Sequence, residues 1–512
     1  MNLWYSSSAK NAATSLIAFT SSALCGLISI PVAVAYLSKE QIGLWSLVTI
    51  VVTYLLWLDL GIGNATGRKI APAITHHDQR ETNRWWTLSL TVLTSMAALM
   101  LGLSLILSVF LTELLAIPAA QSKDAIRLFL GVACVSALGM PVRVYPGILL
   151  AQNRFHWVSV SQAISSWIQF PVFWCLLHKG FGIQSYFLAF LISSLAGWVL
   201  LVWKVHRELP ALRLDFSGIQ RPRFTELLKF SGSLAVGGLS DVFIQSLPAL
   251  ILARFGGLHT IPVYNLTQRG PQILTNLCNR MQHAFHPDLQ RIHVMGDKDR
   301  FFQTFQSVCT LGIWFSLAAA GGVIAFNRSL TCWLANEGFY AGYWTNLLFA
   351  CSVILFPFVS STVQLLQISG DMGRMAVISI IEVPITLIIC YGGFAIAGTA
   401  GIAAACLISP LLFRVPYCIH RGSINCGTSS FRLFRNALGA LITCLFTLLA
   451  TGLVLSQSHD HAPQVIIFGR PTFAPSIMEL LIGLPLILVS VWMVRVHLRR
   501  LRQPARGSLR TD

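Results

Sequence analysis

Charged residues are scarce in this chain. Only 11% of its 512 residues are charged and 55% are hydrophobic, whereas about 25% of an average soluble domain is charged. A soluble protein of this length needs a charged surface that this composition cannot supply, and the mean hydropathy of +0.68 is too high for a disordered chain. The hydrophobic residues are gathered in long continuous runs. Because a membrane-spanning helix needs about 20 apolar residues, we expect an all-α, polytopic membrane protein.

Other absences restrict the function further. No predicted loop exceeds about 26 residues, which leaves no room for a soluble domain, and no GxxxxGK[ST] motif offers an ATP site. The 12 cysteines include no CxxC pair and are interpreted as free thiols. The segment His459-Asp460-His461 is more typical of solvated surface than of a metal site. We therefore expect no cofactor, no metal and no enzymatic activity.

Apolar runs predict about 14 transmembrane segments, and the first is interpreted as an uncleaved span. An even number places both termini on the same side. The predicted segments are 12–37, 43–65, 87–116, 125–150, 157–178, 184–203, 230–255, 262–286, 302–326, 345–368, 375–394, 396–416, 436–456 and 474–496.

The distribution of Lys and Arg predicts the orientation. If both termini are cytoplasmic, 26 of the 36 basic residues border the inner side, seven border the outer side, and Arg143, Arg269 and Arg280 fall inside spans. This split follows the positive-inside rule. The net charge of +17 is therefore interpreted as a sign of topology and not of nucleic-acid binding.

The two halves of the chain resemble each other at a spacing of about 216 residues, which predicts that spans 1–6 repeat as spans 7–12. The matching pieces are Pro141 with Pro357, Leu149-Leu150 with Leu365-Leu366, Gly180–Ile183 with Gly393–Ile396, and Leu191–Ser193 with Leu407–Ser409. Parallel repeats place a site between the halves. The predicted organisation is an N-terminal six-helix bundle (1–205), a basic cytoplasmic linker (206–229), a C-terminal six-helix bundle (230–417), two further spans (436–496) and a basic cytoplasmic tail (497–512).

Three short segments carry a resemblance to a known family. Tyr36–Ser38 with Gly43–Trp45, followed by Leu58–Asn64 (LDLGIGN), is similar to the first hairpin of bacterial polysaccharide flippases, and Phe285–Pro287 resembles the end of their eighth helix. These proteins export lipid-linked oligosaccharides for O-antigen and capsule within the multidrug/oligosaccharidyl-lipid/polysaccharide flippase superfamily. Unlike the lipid II branch of the superfamily, the predicted first span has no arginine, which disfavours a peptidoglycan precursor as substrate.

The resemblance implies a fold and a function. The fold would be two pseudo-symmetric six-helix bundles in a V, with two extra C-terminal helices. The function would be to flip an undecaprenyl-pyrophosphate-linked repeat unit across the bacterial inner membrane for O-antigen, capsule or exopolysaccharide synthesis. Partners would be the lipid-linked glycan, membrane lipid, an H⁺ or Na⁺ counter-ion and other polysaccharide assembly proteins. The alternatives are a multidrug or lipid II exporter and, in a different class, a membrane polysaccharide polymerase or ligase.

Predicted span 8 carries a polar stripe. Its members recur at helical spacing, so they share one face: Asn265, Arg269, Gln272, Asn276, Arg280 and His283. A polar stripe in a membrane helix lines a cavity or packs on polar partners. Arginine suits a pyrophosphate because its guanidinium binds phosphate oxygens bidentately and stays charged. The alternatives are a structural ion pair for Arg269 and a snorkelling side chain for Arg280.

Four further charged residues in or beside spans are candidates, because charge in a span is costly. Arg143, between Pro141 and Pro146, is predicted to line a cavity. Asp241 either neutralises Arg269 or couples export to an ion gradient, and Glu382 is a similar candidate for ion coupling or gating. Asp59 lies in the family-like segment, where it either forms a gate at the cytoplasmic mouth or only positions a helix end.

Overall fold

The computed structural model describes residues 2–115, 117–152, 154–283, 285–368, 373–426, 430–456, 464–467, 470–473, 487–488, 490 and 493–494. Contacts divide the chain into an N-terminal unit, Met1–Pro262, and a C-terminal unit, Val263–Asp512. Predicted span 14, the tail 497–512 and His459-Asp460-His461 lie largely or wholly outside the described residues. The expectation of a helical membrane protein is confirmed, with one small β-hairpin in addition.

The N-terminal unit is built of helices joined by short turns. They are α1 (Asn2–Tyr36), α2 (Lys39–Leu56), α3 (Ile62–Thr75), α4 (Gln79–Leu114), α5 (Ser122–Gly139), α6 (Val144–Ala151), α7 (His156–His178), α8 (Ser185–Glu208) and α9 (Arg221–Ile251). Sequence signals explain several ends. Ser38 and Gln41 form a capping box at the start of α2. Pro141 begins a short 3₁₀ turn between α5 and α6, which meet at a bend of 40°.

Helix α9 packs within the N-terminal unit. Tyr54 of α2 hydrogen-bonds to Ser246 and stacks on Phe243 at 4.3 Å between ring centroids. Gly238 is in close contact with the Trp57 ring, where a Cβ would lie 2.0 Å from the nearest ring carbon. These contacts explain why the N-terminal unit extends to Pro262, beyond the end of the predicted linker at residue 229. Because packing and duplication can divide a chain at different places, the predicted boundary at residue 230 stays a prediction.

The described part of the C-terminal unit consists of helices and one small β-hairpin. Its elements are α11 (His286–Val294), α12 (Lys298–Leu334), α13 (Tyr343–Ile368), α14 (Gly373–Leu412), α15 (Arg414–Cys426), α16 (Ser430–Ser456) and the antiparallel strands β1 (Gln464–Ile467) and β2 (Arg470–Phe473). Helix α10 (Thr260–His283) begins at the boundary between the units. Apolar side chains of α12, α13 and α16 form the largest part of the core.

Helix α14 contains a reversal, as expected for two consecutive spans. Ala397 and Gly398 leave the helical conformation, and Gly398 has φ of 57°. The two arms then run antiparallel, since Gly393 lies against Gly401 and Cys390 lies 4.0 Å from Cys406. Predicted spans 11 and 12 are therefore the arms of a tight helical hairpin.

Length and hydropathy identify nine candidate membrane spans among the described residues, or ten with the bent α5–α6 pair. Val377–Asn425 is one of the nine, although it contains the reversal at Gly398. Helix α10 is not among them because its polar stripe lowers its hydropathy. The total of 14 spans stays a prediction, as does the repeat, in which Pro141 occupies a break and Pro357 an unbroken α13.

Candidate functional site

Helix α10 has a polar exposed face. Arg269, Gln272, Asn276, Arg280 and His283 are exposed and Asn265 is half-buried, whereas the residues of the opposite face are buried. Those buried residues are Tyr264, Thr267, Pro271, Thr275, Cys278 and Gln282. The predicted stripe is thus a continuous surface along a helix whose other side joins the core of the C-terminal unit.

The middle of α10 is fixed to α12. Pro271 has no N–H, so the carbonyl of Thr267 loses its usual helical donor. Asn327 of α12 replaces that donor, with Nδ2 at 2.9 Å from the Thr267 oxygen, and it also donates to Asn346 Oδ1 at 2.8 Å. Asn327 is 3% exposed. This buried amide holds the helix at the depth of Arg269, two residues from both Thr267 and Pro271.

Arg269 projects from this fixed segment. No described residue of the C-terminal unit forms an ion pair or hydrogen bond with its guanidinium. Arg280, 11 residues further on, is also exposed and does have interactions. The helical rise places the two about 16 Å apart along the axis. The stripe therefore offers a cation whose hydrogen-bonding capacity is not used within its own unit.

In the N-terminal unit, the structure brings two candidates together. Asp59 and Arg143 form an ion pair, and the Arg143 guanidinium also lies 3.5 Å from the carbonyl oxygen of Leu56. The other carboxylate oxygen of Asp59 accepts from the N–H of Gly61 at 2.9 Å. Leu60 and Gly61 both have positive φ, 51° and 70°. Asp59 therefore stabilises the left-handed turn between α2 and α3, and Arg143 ties that turn to the start of α6.

The glycines that follow Asp59 allow α3 and α6 to touch. A Cβ on Gly63 would lie 2.2 Å from the backbone oxygen of Arg143, and a Cβ on Gly67 would lie 2.5 Å from that of Gly147. Small residues four apart permit such close approach. The family-like segment Leu58–Asn64 thus has a local structural role, and its predicted role as a gate stays a prediction.

Arg143 also lines a cavity of about 380 Å³ inside the N-terminal unit. The lining combines aromatic residues with several hydroxyl groups and an amide, including Ser136, Ser161, Gln162, Ser165, Ser194 and Trp198. The predicted role of Arg143 in a substrate cavity stays a prediction, and the sequence analysis did not anticipate this run of hydroxyls.

Glu382 has a partner that the sequence analysis missed. Its carboxylate is completely buried in the hairpin of α14 and accepts from Arg414 Nε at 2.6 Å and from Ser409 Oγ at 3.2 Å. The two charged residues are 32 positions apart, so only the antiparallel arms bring them together. This arrangement favours a structural ion pair over an open ion site. Asp241, the other candidate for ion coupling, is half-buried in α9, and its role in ion coupling stays a prediction.

Comparison with protein families identifies the lineage. The family model described as "Polysaccharide biosynthesis protein" matches residues 8–293, more than half of the chain. The chain belongs to this family. The resemblance inferred from the short motifs is therefore confirmed, and the match includes the Asp59 turn, Arg143 and the whole of α10. A comparison with curated proteins finds no match.

Solved structures of the MOP superfamily share the fold. The chain is similar to a lipid II flippase MurJ in an inward closed conformation, with a TM-score of 0.68 and 15% identity over 95% of this chain and 99% of that one. It is also similar to a multidrug resistance MATE family transporter in its inward-facing conformation, with a TM-score of 0.64 and 14% identity over 82% of this chain and 99% of the other. At these identities the likeness shows the fold alone, which is that of membrane transporters and flippases.

Proposed function

We propose that this member of the polysaccharide biosynthesis protein family flips an undecaprenyl-pyrophosphate-linked oligosaccharide from the cytoplasmic to the periplasmic leaflet. The product would supply O-antigen, capsule or exopolysaccharide synthesis at the bacterial inner membrane. The observation that carries the proposal is the exposed polar face of α10 with Arg269 at its centre. In this proposal Arg269 holds the pyrophosphate, and Asn265, Gln272 and Asn276 donate further hydrogen bonds.

The charge of this face separates the proposal from its alternatives. Inserting an arginine at the centre of a span costs about 2.5–3.5 kcal/mol, and an anionic headgroup would offset that cost during transport. A cationic drug would meet repulsion at Arg269, which disfavours a multidrug exporter. A polymerase or ligase would need catalytic groups on a sizeable outer loop, and the predicted outer loops are short.

The buried anchor beside Arg269 supports the same role. A binding group must keep its geometry while the cargo moves, and preorganised donors stabilise an anion better than mobile ones. Asn327 and Pro271 supply that rigidity without touching the exposed face. Ion coupling at Asp241 and an H⁺ or Na⁺ counter-ion remain part of the proposal.

Substitution of Arg269 tests the proposal in cells that lack the native gene. Arg269→Ala and Arg269→Glu should abolish export, so that lipid-linked repeat units accumulate in the cytoplasmic leaflet. Arg269→Lys should retain partial export, because it keeps the charge and loses the bidentate geometry. Leaflet-specific detection of the lipid-linked repeat unit is the measurement.

A matched control and a stability measurement complete the design. Arg291→Ala removes an equally exposed arginine from the short helix α11 and should export normally. Arg269→Ala should unfold at about the wild-type temperature, because no ion pair or hydrogen bond to a described residue of its unit is broken. Normal export by well-expressed Arg269→Ala would contradict the proposal, whereas a lowered unfolding temperature would indicate a structural role.

A further inference from the structure

The segment between α8 and α9 presents its polar groups to the protein. Residues 209–224, which comprise this segment and the first turn of α9 and which we call the interfacial strap, are held on the first three turns of α4 through backbone and side-chain hydrogen bonds. These are Arg213 N to Asn83 Oδ1 at 3.2 Å, Asn83 Nδ2 to Ala211 O at 3.4 Å, Asp215 N to Thr87 Oγ1 at 2.8 Å and Arg84 Nε to Ser217 Oγ at 3.2 Å. The polar surface of the strap is therefore largely used inside the N-terminal unit.

Four large apolar side chains of the strap are left outside, whereas Leu212 is buried in the core of the unit. Phe216 is 63% exposed and Leu214 is 56% exposed, and Ile219 and Phe224 are also exposed. A loop in water normally turns its polar groups outward and its large apolar side chains inward. An exposed cluster of large apolar side chains instead marks a surface that contacts a membrane or a partner. The strap is thus an apolar surface fixed to the protein by its polar side.

The location of the strap identifies what it contacts. The α4 residues that hold it belong to the first turns of the candidate span Gln79–Glu113. Trp203, near the end of α8, is exposed and lies under the Arg207 guanidinium, 5.3 Å from the ring centroid. An exposed Trp with an Arg at the end of a span is typical of the membrane interface. The strap follows α8 directly and lies where the span of α4 enters the membrane.

The charge of the strap is positive. Arg213 and Arg221 of the strap, and Arg207 in the last turn of α8, are exposed around the apolar side chains. The acidic residue of the strap, Asp215, is occupied internally, because it accepts hydrogen bonds from the side chain and backbone of Ser217 and lies 3.5 Å from Arg84. Those hydrogen bonds from Ser217 lower the pKa of the Asp215 carboxyl. A cationic surface with aromatic and aliphatic side chains complements an anionic lipid surface.

We infer that the interfacial strap is a lipid-binding anchor, which inserts Leu214, Phe216, Ile219 and Phe224 into the headgroup boundary and binds anionic phospholipid through its arginines. The predicted orientation places it on the inner leaflet. The anchor would hold the start of α9 at the membrane surface, because Arg223 pairs with Glu81 at 2.7 Å and Glu226 pairs with Lys69.

Fluorescence quenching in vesicles tests this inference without any cargo. The purified full-length protein, with its 12 native cysteines replaced by serine, receives Phe216→Cys or the control Met295→Cys. Met295 is 61% exposed in a polar loop of the other unit and matches Phe216 in exposure. Each variant is labelled at the new cysteine with an environment-sensitive fluorophore. It is reconstituted into phosphatidylcholine vesicles with or without phosphatidylglycerol. The quencher is either a lipid with a shallow nitroxide or iodide in the aqueous phase.

We expect the nitroxide lipid to quench the fluorophore at position 216 and iodide to quench the fluorophore at position 295. Phosphatidylglycerol should increase lipid quenching at position 216, and replacement of Arg207, Arg213 and Arg221 by Gln should remove that increase. Quenching by iodide at position 216 would overturn the inference, as would protection from both quenchers, which indicates a protein cover. Because the readout needs no export, its outcome is independent of the proposed function.

Discussion

Two ion pairs of the C-terminal unit differ in their surroundings. Glu382 is completely buried against Arg414, whereas Glu337, which lies 3.4 Å from Arg328, has 61% of its side chain exposed. A buried pair loses little to solvent screening, and removal of one partner leaves an uncompensated charge. An exposed pair contributes about 0–1 kcal/mol.

Arg414→Ala should therefore be strongly destabilising. It leaves the Glu382 carboxylate buried with the Ser409 hydroxyl as its donor among the described residues, and we expect a loss of about 3–5 kcal/mol. Thermal unfolding of the purified protein in detergent is the measurement. Glu337→Gln is the control and should change the midpoint little.

A double substitution separates packing from charge in the same hairpin. Glu382→Leu together with Arg414→Leu should unfold at a higher temperature than Arg414→Ala, because it removes both buried charges. If Arg414→Ala unfolds like the wild type, Glu382 is not held by Arg414, and the ion-coupling role predicted from the sequence regains support.

At the scale of the helix, glycine positions decide which elements can touch. A Cβ on Gly401 would lie 1.7 Å from the backbone oxygen of Gly393, whereas a Cβ on Gly392 meets nothing within 4 Å. Because the obstacle is backbone, no side-chain movement can relieve it. The hairpin of α14 therefore requires glycine at position 401 but not at position 392.

Gly401→Ala should destabilise the hairpin by about 1–3 kcal/mol, the usual cost of overpacking. Gly392→Ala should be neutral or stabilising by up to about 1 kcal/mol, because alanine favours the helix. Thermal unfolding of the two variants side by side is the measurement. Equal midpoints would show that the arms do not cross at these glycines.

The sequence predicts periodic features of helices better than contacts between them. The polar face of α10 follows from the spacing of Asn265, Arg269 and Gln272, because a helix converts spacing into direction. The partnership of Glu382 with Arg414 does not follow from spacing, since it depends on how tightly the arms of α14 cross. Asn327 was missed for the same reason, because its role depends on the carbonyl that Pro271 leaves free.

At the scale of the whole molecule, the distribution of charge predicts the orientation in the membrane, which the packing of the helices does not determine. The 26 basic residues assigned to the inner side include Arg80, Arg213 and Lys298, whereas Lys179 belongs to the seven assigned to the outer side. One missed or extra span before any of these residues would invert its assignment. Labelling several loops therefore tests the orientation and the order of the spans together.

Cysteine labelling in intact cells measures this topology. In protein with its 12 native cysteines replaced by serine, Lys179→Cys should react with a membrane-impermeant maleimide in intact cells. Arg80→Cys and Lys298→Cys, at equally exposed positions, should react only after the inner membrane is permeabilised, because basic loops are retained on the cytoplasmic side. Arg213→Cys should also be protected in intact cells, and in permeabilised cells it should react more slowly than Lys298→Cys if the strap lies in the interface. Labelling of Arg80→Cys or Arg213→Cys in intact cells would contradict the predicted orientation and would move the strap to the outer leaflet.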